Sequence, residues 1–103
     1  MYKIRYLPLA LKDLMDITDY IAGQLQGPKA ALDWLDELEQ AIARLAQFPY
    51  SCRVYRPVRE LEHEYRLLPV KNYLVFCVVK EEEKVVEIHR VIHGKRDLNQ
   101  TMK

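Results

Sequence analysis

Three residues carry side chains suited to an anionic substrate: Arg66, Arg90 and His93. A guanidinium offers a planar fork of N–H donors that matches a phosphate or a carboxylate, and it stays charged at any physiological pH. An imidazole exchanges protons near neutral pH. His93 ends an apolar run next to Gly94 and the basic pair Lys95-Arg96, where a strand end would deliver a polar group to a surface. Each residue also has a plainer reading. Arg66 can pair with Glu64 or another surface acid. Arg90 follows the alternation of Val86, Ile88 and Ile92, which places its stem on a partly apolar face, and there a structural ion pair accounts for it as well as a phosphate contact does.

A second group, Arg53, Arg56 and Arg59 with Tyr50 and Tyr55, mixes cations with aromatic rings. That composition suits a nucleic-acid or acidic-peptide surface. It equally suits a solvated loop whose charges keep a sheet edge from pairing with other chains. No metal site is expected. His89 and His93 stand four apart on one strand face, roughly 13 Å at about 3.3 Å per residue, beyond the reach of one ion. His63 and His89 belong to no motif and default to surface positions. Glu81 to Glu83 reads as a solvated turn. Cys52 and Cys77 form neither a CxxC unit nor a zinc spacing, and Cys77, inside an apolar run, reads as a buried, inert thiol. No cofactor motif is present.

The chain of 103 residues carries a net charge of +1, which hides an asymmetry: residues 1–52 sum to −2 and residues 53–103 to +3. The second half is the better surface for an acidic or nucleic-acid partner, although a dedicated duplex-DNA binder would be more basic. The N-terminus has no apolar run of signal-peptide type, and the apolar stretch Tyr73 to Val79 is far too short to span a bilayer. The expectation is a cytoplasmic protein with no membrane contact.

These residues need elements to hold them. Tyr2 to Leu7 reads as a first strand, and Pro8 opens a helix with Leu14, Ile17, Ile21 and Leu25 on one face. Lys12, Asp13, Asp16 and Asp19 fall elsewhere around it and are expected to face solvent. Gly27-Pro28 breaks the pattern. A second helix follows, with Ala31, Leu35, Leu38, Ile42 and Leu45 as its stripe, ending at Phe48-Pro49. Arg53 to Arg59 is a loop or weak strand. Tyr65 to Val70, Tyr73 to Val79 and Val85 to His93 are strands, joined by Lys71-Asn72 and by the glutamate turn; Lys95 to Lys103 is a polar tail. Short turns imply antiparallel pairing, and the first strand can join the same sheet. The fold class is α+β: one domain over residues 1–103, a small antiparallel sheet covered on one face by an N-terminal helical hairpin.

Four segments together resemble the RelE/ParE (plasmid stabilisation) toxins of bacterial type II toxin–antitoxin systems. They are Tyr6-Leu7-Pro8-Leu9-Ala10-Leu11-Lys12-Asp13-Leu14; Ile42-Ala43-Arg44-Leu45-Ala46-Gln47-Phe48-Pro49; Tyr65-Arg66 with Asn72-Tyr73-Leu74-Val75-Phe76; and the run from Ile88 to Leu98. The resemblance implies the same fold, a cognate antitoxin that wraps the toxin in a hetero-oligomer, and one of two mechanisms. One is ribosome-dependent cleavage of mRNA, for which Arg66, Arg90 and His93 would be the catalytic set. The other is binding of DNA gyrase. In the nuclease branch an arginine usually precedes the apolar strand, where this chain has Tyr73, and the ending His93-Gly94-Lys95-Arg96-Asp97 resembles the ParE branch. A non-toxic member that only binds antitoxin is a third outcome. Arg53, Arg56, Arg59, Tyr73, Lys95 and Arg96 are the expected target-binding or antitoxin-binding residues.

Overall fold

The computed structural model describes residues 1–57 and 60–95. The chain runs through β1 (Lys3–Tyr6), α1 (Pro8–Tyr20), a π-helical turn (Ile21–Leu25), α2 (Pro28–Ala43) and a 3₁₀ turn (Arg44–Ala46). Four strands follow: β2 (Arg53–Val54), β3 (Arg66–Val70), β4 (Tyr73–Lys80) and β5 (Val85–His93). They form one sheet in the order β1-β5-β4-β3-β2. The pairs β2–β3, β3–β4 and β4–β5 are antiparallel, as the short turns require. The pair β1–β5 is parallel, because a long connection lets β5 return beside β1 in the same direction.

Both helices start on a proline, which loses nothing at a position whose N–H has no helical partner. Gly27 precedes the second one at φ 95°, a conformation that a side chain would strain. The stripe of α2 packs as its spacing predicts: Ala31, Leu38, Ile42 and Leu45 are buried over Val75, Cys77, Val86, Ile88 and Val91 of the sheet. The stripe of α1 holds at Ile21 but fails at Leu25, which is 58% exposed. The π turn between them, closed by the Gln26 N–H on the Ile21 carbonyl at 3.1 Å, advances the phase and rotates Leu25 outward.

The far face of the sheet is not bare. Leu67, Phe76 and Ile92 form a second, smaller cluster beneath Tyr55, Leu61 and Tyr65. β4 is therefore buried on both faces, which explains its continuous apolar run. Pro69 sits in β3 opposite Leu74, and β2 stops short of it, so its missing N–H faces an open side. In β5 the alternation breaks. Phe76 pairs with Arg90 and Cys77 with Ile88, leaving His89 as the extra residue of a β-bulge. Ile88 and Val91 face the helices, while Ile92 joins the far cluster.

Candidate functional site

Asp13 corrects the expectation of a solvated helix face: it is only 8% exposed. One of its oxygens accepts the Arg90 Nε–H at 2.8 Å and the Val91 N–H at 2.9 Å, and the other accepts from Arg90 Nη2 at 3.0 Å. β1 ends opposite Ile88, so beyond that point β5 has an unpaired edge. The Asp13 carboxylate takes the place of the missing strand there, supplying the acceptor that Val91 needs. The register puts Arg90 opposite Phe76 on the far face, from where its guanidinium reaches Asp13. This contact raises the Arg90 pKa further above its ordinary value. The ion-pair reading of Arg90 is the one seen.

Arg66 is likewise engaged within the fold. It donates to the Cys52 carbonyl at 2.8 Å, lies 3.7 Å from a Glu64 carboxylate oxygen, and stacks over the Tyr50 ring at 4.9 Å. It ties the loop before β2 to β3. Arg66 stands opposite Cys77 and His93 opposite Tyr73, four residues further along β4 and across two strand spacings. That separates their Cα positions by roughly 16 Å. Arg66 and His93 do not converge on one phosphate.

His93 and Tyr73 instead come together, as a cross-strand pair with ring centroids 5.2 Å apart, edge to face. Tyr73 meets Trp34 of α2 in the same manner at 5.1 Å. The three rings line a cleft of about 560 Å³ between the hairpin turn and this end of the sheet. Two smaller recesses, of about 270 and 210 Å³, share Tyr73 and His93 with it. Lys71 and Asn72 of the β3–β4 turn form one rim, and Tyr20, half exposed, stands on the helical side. Burial raises the Tyr73 phenol pKa, so it remains a neutral hydroxyl. His93 Nδ1 accepts the Lys95 N–H at 3.2 Å, which leaves Nε2 to carry the proton of the neutral ring. The Trp34 Nε1–H is buried and has no hydrogen-bond partner among the described residues. Gly94 closes the rim by donating to the Asn72 carbonyl at 2.8 Å.

The other sequence candidates lie elsewhere. Arg53 and Arg56 are exposed at the β2 edge, beside the Tyr50–Arg66 stack; Arg59 and Arg96 fall outside the described residues. Tyr73 lines the cleft, and Lys95 lines the smallest of the adjoining recesses. His89 is not a free surface residue. Its Nδ1 pairs with the Tyr65 hydroxyl at 3.1 Å and its Nε2 with Glu87 at 3.1 Å, and Glu87 also accepts from Arg5 at 3.0 Å. The bulge puts His89 and His93 on opposite faces, so the reading of one shared face fails. Glu81 is exposed yet occupied: the Tyr2 and Tyr50 hydroxyls donate to it at 2.5 and 2.6 Å, and Lys84 pairs with it. Among the described residues no cluster of three potential ligands could hold a metal ion, and both cysteines are free, with Cys77 buried. No helix among them is long and apolar enough to cross a membrane.

Two wall residues escaped the sequence reading. Trp34 lies three after Ala31 and four before Leu38, so helical spacing does place it on the buried stripe. Asp13 is three after Ala10 and four before Ile17, and its phase was legible, but its charge argued for solvent.

Comparison with known proteins agrees with this architecture. The family model of the ParE toxin of type II toxin–antitoxin systems, parDE, matches residues 4–98. A search of curated proteins finds no significant match by sequence. Among solved structures, the chromosomal ParDE toxin–antitoxin system of P. aeruginosa superposes with a TM-score of 0.71 at 24% identity, over 92% of this chain and 98% of that one. The isolated RelE toxin of E. coli gives 0.60 at 14% identity, over 98% and 93%. The RelBE2 toxin–antitoxin complex of Mycobacterium tuberculosis gives 0.58 at 23% identity, over 89% and 96%. With the family match spanning nearly the whole chain, and the helical hairpin on a five-stranded sheet shared with these structures, the chain belongs to the ParE toxin family of type II toxin–antitoxin systems.

Proposed function

We propose that this toxin arrests growth by binding DNA gyrase rather than by cutting mRNA, and that a cognate antitoxin neutralises it. The observation that carries the reading is the occupation of the would-be nuclease arginines. Arg90 is held by Asp13, Arg66 by the Cys52 carbonyl, and Tyr73 stands where the nuclease branch usually has arginine. Ribonucleolytic catalysis of this type needs free cations around one scissile phosphate, because positioning and electrostatics supply most of the rate. A binding toxin needs only a surface. The family membership and the ParE-like ending at His93-Gly94-Lys95 support the same choice. The antitoxin expectation draws on the toxin–antitoxin assemblies that these relatives form.

The test is expression of the chain alone in bacteria, with and without its neighbouring gene, followed by two assays on purified protein. Growth arrest relieved by co-expression, inhibition of gyrase supercoiling, and intact mRNA on programmed ribosomes are expected. Discrete new 5′ ends on ribosome-bound mRNA that vanish in an Arg66→Ala, His93→Ala double variant would overturn the gyrase reading.

A further inference from the structure

The helical layer carries a surface that neither the core nor the cleft uses. In α1, Asp13, Asp16 and Tyr20 turn toward the open edge of β5, where they border a recess with Val91 and His93. Helical spacing puts Leu11, Met15 and Thr18 on another side of that helix, toward solvent and α2. In α2, Ala30, Asp33 and Trp34 face the cleft beside Lys71, while Leu32, Leu35 and Glu39 lie on the side toward α1. Burial, and then the charge of Glu39, raise the Tyr6 phenol pKa, in keeping with a Glu39 beside the foot of α1. The two antiparallel helices thereby leave a shallow groove on their solvent side. Its apolar residues are open: Leu11 is 49%, Met15 66% and Leu32 67% exposed. Thr18 turns its hydroxyl back onto the Leu14 carbonyl at 2.9 Å, so it adds no polar group there. Single exposed apolar side chains are ordinary, but a row of them along the seam of two helices forms a patch of the kind that partners cover.

The rim is acidic. Residues 8–43 carry two lysines against seven carboxylates. Both lysines are held within their own helix, Lys12 by Asp16 and Lys29 by Asp33. Arg90 takes Asp13, and Lys71 takes Glu37. Asp19, Asp36 and Glu39 remain. Among the described residues none of the three pairs with a cation, and Asp36 accepts from the Gln40 amide at 2.9 Å. We infer that this groove docks a basic amphipathic α-helix of a partner protein, its apolar side chains among Leu11, Met15 and Leu32 and its lysines or arginines against Asp19, Asp36 and Glu39.

Charge selects this occupant. A second copy of the chain would set the same carboxylates against each other, and a nucleic acid, an anionic membrane or an acidic segment would be repelled in the same way. Shape selects a helix. From Leu32 to Ala43 the α2 wall rises about 16 Å, or three turns, and a helix laid in a groove anchors through residues three and four apart. The interface is opposite in sign to the arginines and lysines of the sheet half. It stands apart from the gyrase reading and survives its failure, because its test uses neither gyrase nor ribosome.

The probe is a capped synthetic peptide of about 14 residues, with leucines three and four apart, lysines flanking them, and alanine and glutamine elsewhere. Two controls accompany it: the same peptide with glutamate for lysine, and a shuffled peptide of the same composition without an apolar stripe. Binding to the purified full chain is followed by fluorescence anisotropy of the labelled peptides and by the amide NMR shifts of the chain. The basic helix should bind saturably, with a dissociation constant on the order of 1 to 100 μM, and should shift the amides of Leu11, Met15 and Leu32. The shuffled peptide should bind about tenfold more weakly or worse, and the glutamate peptide not at all. Met15→Ser with Leu32→Ser, both far enough out of the core to leave the fold intact, should weaken the basic helix about tenfold. Asp36→Asn with Glu39→Gln should weaken it about three- to tenfold at low salt and leave its response to high salt smaller. Absence of saturable binding by the basic helix overturns the proposal. So does binding unchanged by Met15→Ser with Leu32→Ser in a chain whose circular dichroism shows it folded, equal binding of either control, or amide shifts confined to the sheet. Self-association of the chain that the same serine variant abolishes makes a second copy the occupant, and also overturns it.

Discussion

Replacing Asp13 by alanine should be among the most damaging single changes in this protein, although the residue is charged and near the middle of a surface helix. The substitution removes three acceptor contacts at 2.8, 2.9 and 3.0 Å. It leaves the Val91 N–H without a partner at a buried strand edge, a loss of about 1–3 kcal/mol. It also leaves the Arg90 guanidinium unpaired. Breaking a fully buried ion pair costs about 3–5 kcal/mol, but the Arg90 side chain is 16% exposed and keeps some water, so the lower part of that range applies. Together these losses come to roughly 4–6 kcal/mol, a large share of the stability of a small domain. Asp13→Asn keeps an acceptor for Val91 but turns an amide toward the guanidinium, and should fall between alanine and the parent. Urea denaturation followed by Trp34 fluorescence measures each value. The double variant Asp13→Ala, Arg90→Met should lose less than the sum of the single ones, with a coupling of about 1–3 kcal/mol. A change within about 0.5 kcal/mol for Asp13→Ala, the range of ordinary surface substitutions, would refute the edge-capping account.

Leu38 is fully buried between α2 and the sheet, and Leu38→Ala should cost about 2–5 kcal/mol in the same assay; a loss below about 0.5 kcal/mol would mean that the core is assembled differently. Lys84, then the Tyr2 and Tyr50 hydroxyls, hold the Glu81 carboxyl at a pKa of about 2. Because this lies below the unfolded value of about 4.3, its contribution to stability is complete above that pH and is lost as the pH falls toward 2. Carbon-detected NMR titration should give a Glu81 midpoint near 2, and a midpoint above 4 would show that the hydroxyls do not bond it in solution. Burial pushes the Cys77 thiol up to about 12, so native protein treated with iodoacetamide should be modified at Cys52 alone, with Cys77 reacting only after unfolding.

The elements were legible in the sequence wherever periodicity and backbone chemistry act locally. Pro8 and Pro28 mark the helix starts, the spacing from Ala31 to Leu45 gives the buried face of α2, and the apolar run from Tyr73 gives a strand covered on both sides. What escaped depends on contacts distant in sequence. Whether Asp13 meets solvent or a strand edge is decided by where β1 stops and by Arg90, which lies 77 positions from Asp13. The exposure of Leu25 follows from a single π turn, and the position of Ile92 from a single bulge. Each inserts one residue into a period that sequence reading assumes constant. The site was half visible. Tyr73, His93 and Lys95 were picked out by type and place, whereas the cleft that Tyr73 and His93 share with Trp34 exists only because α2 packs over the end of β4.

The bulge in β5 sets eight residues of β4 against nine of β5. The core needs only eight. With one residue fewer at His89-Arg90, Val86, Ile88, Val91 and His93 would keep the same neighbours, because the register resumes on both sides of the bulge. β5 therefore contains a position where the reading frame of the strand is decoupled from its packing. A chain that lost His89 there would keep the grip of Arg90 on Asp13, and one that lost Arg90 would keep the Tyr65–His89–Glu87 chain. Length variation among relatives would be tolerated at this point of the sheet, with the sacrificed side chain deciding which polar function a lineage retains.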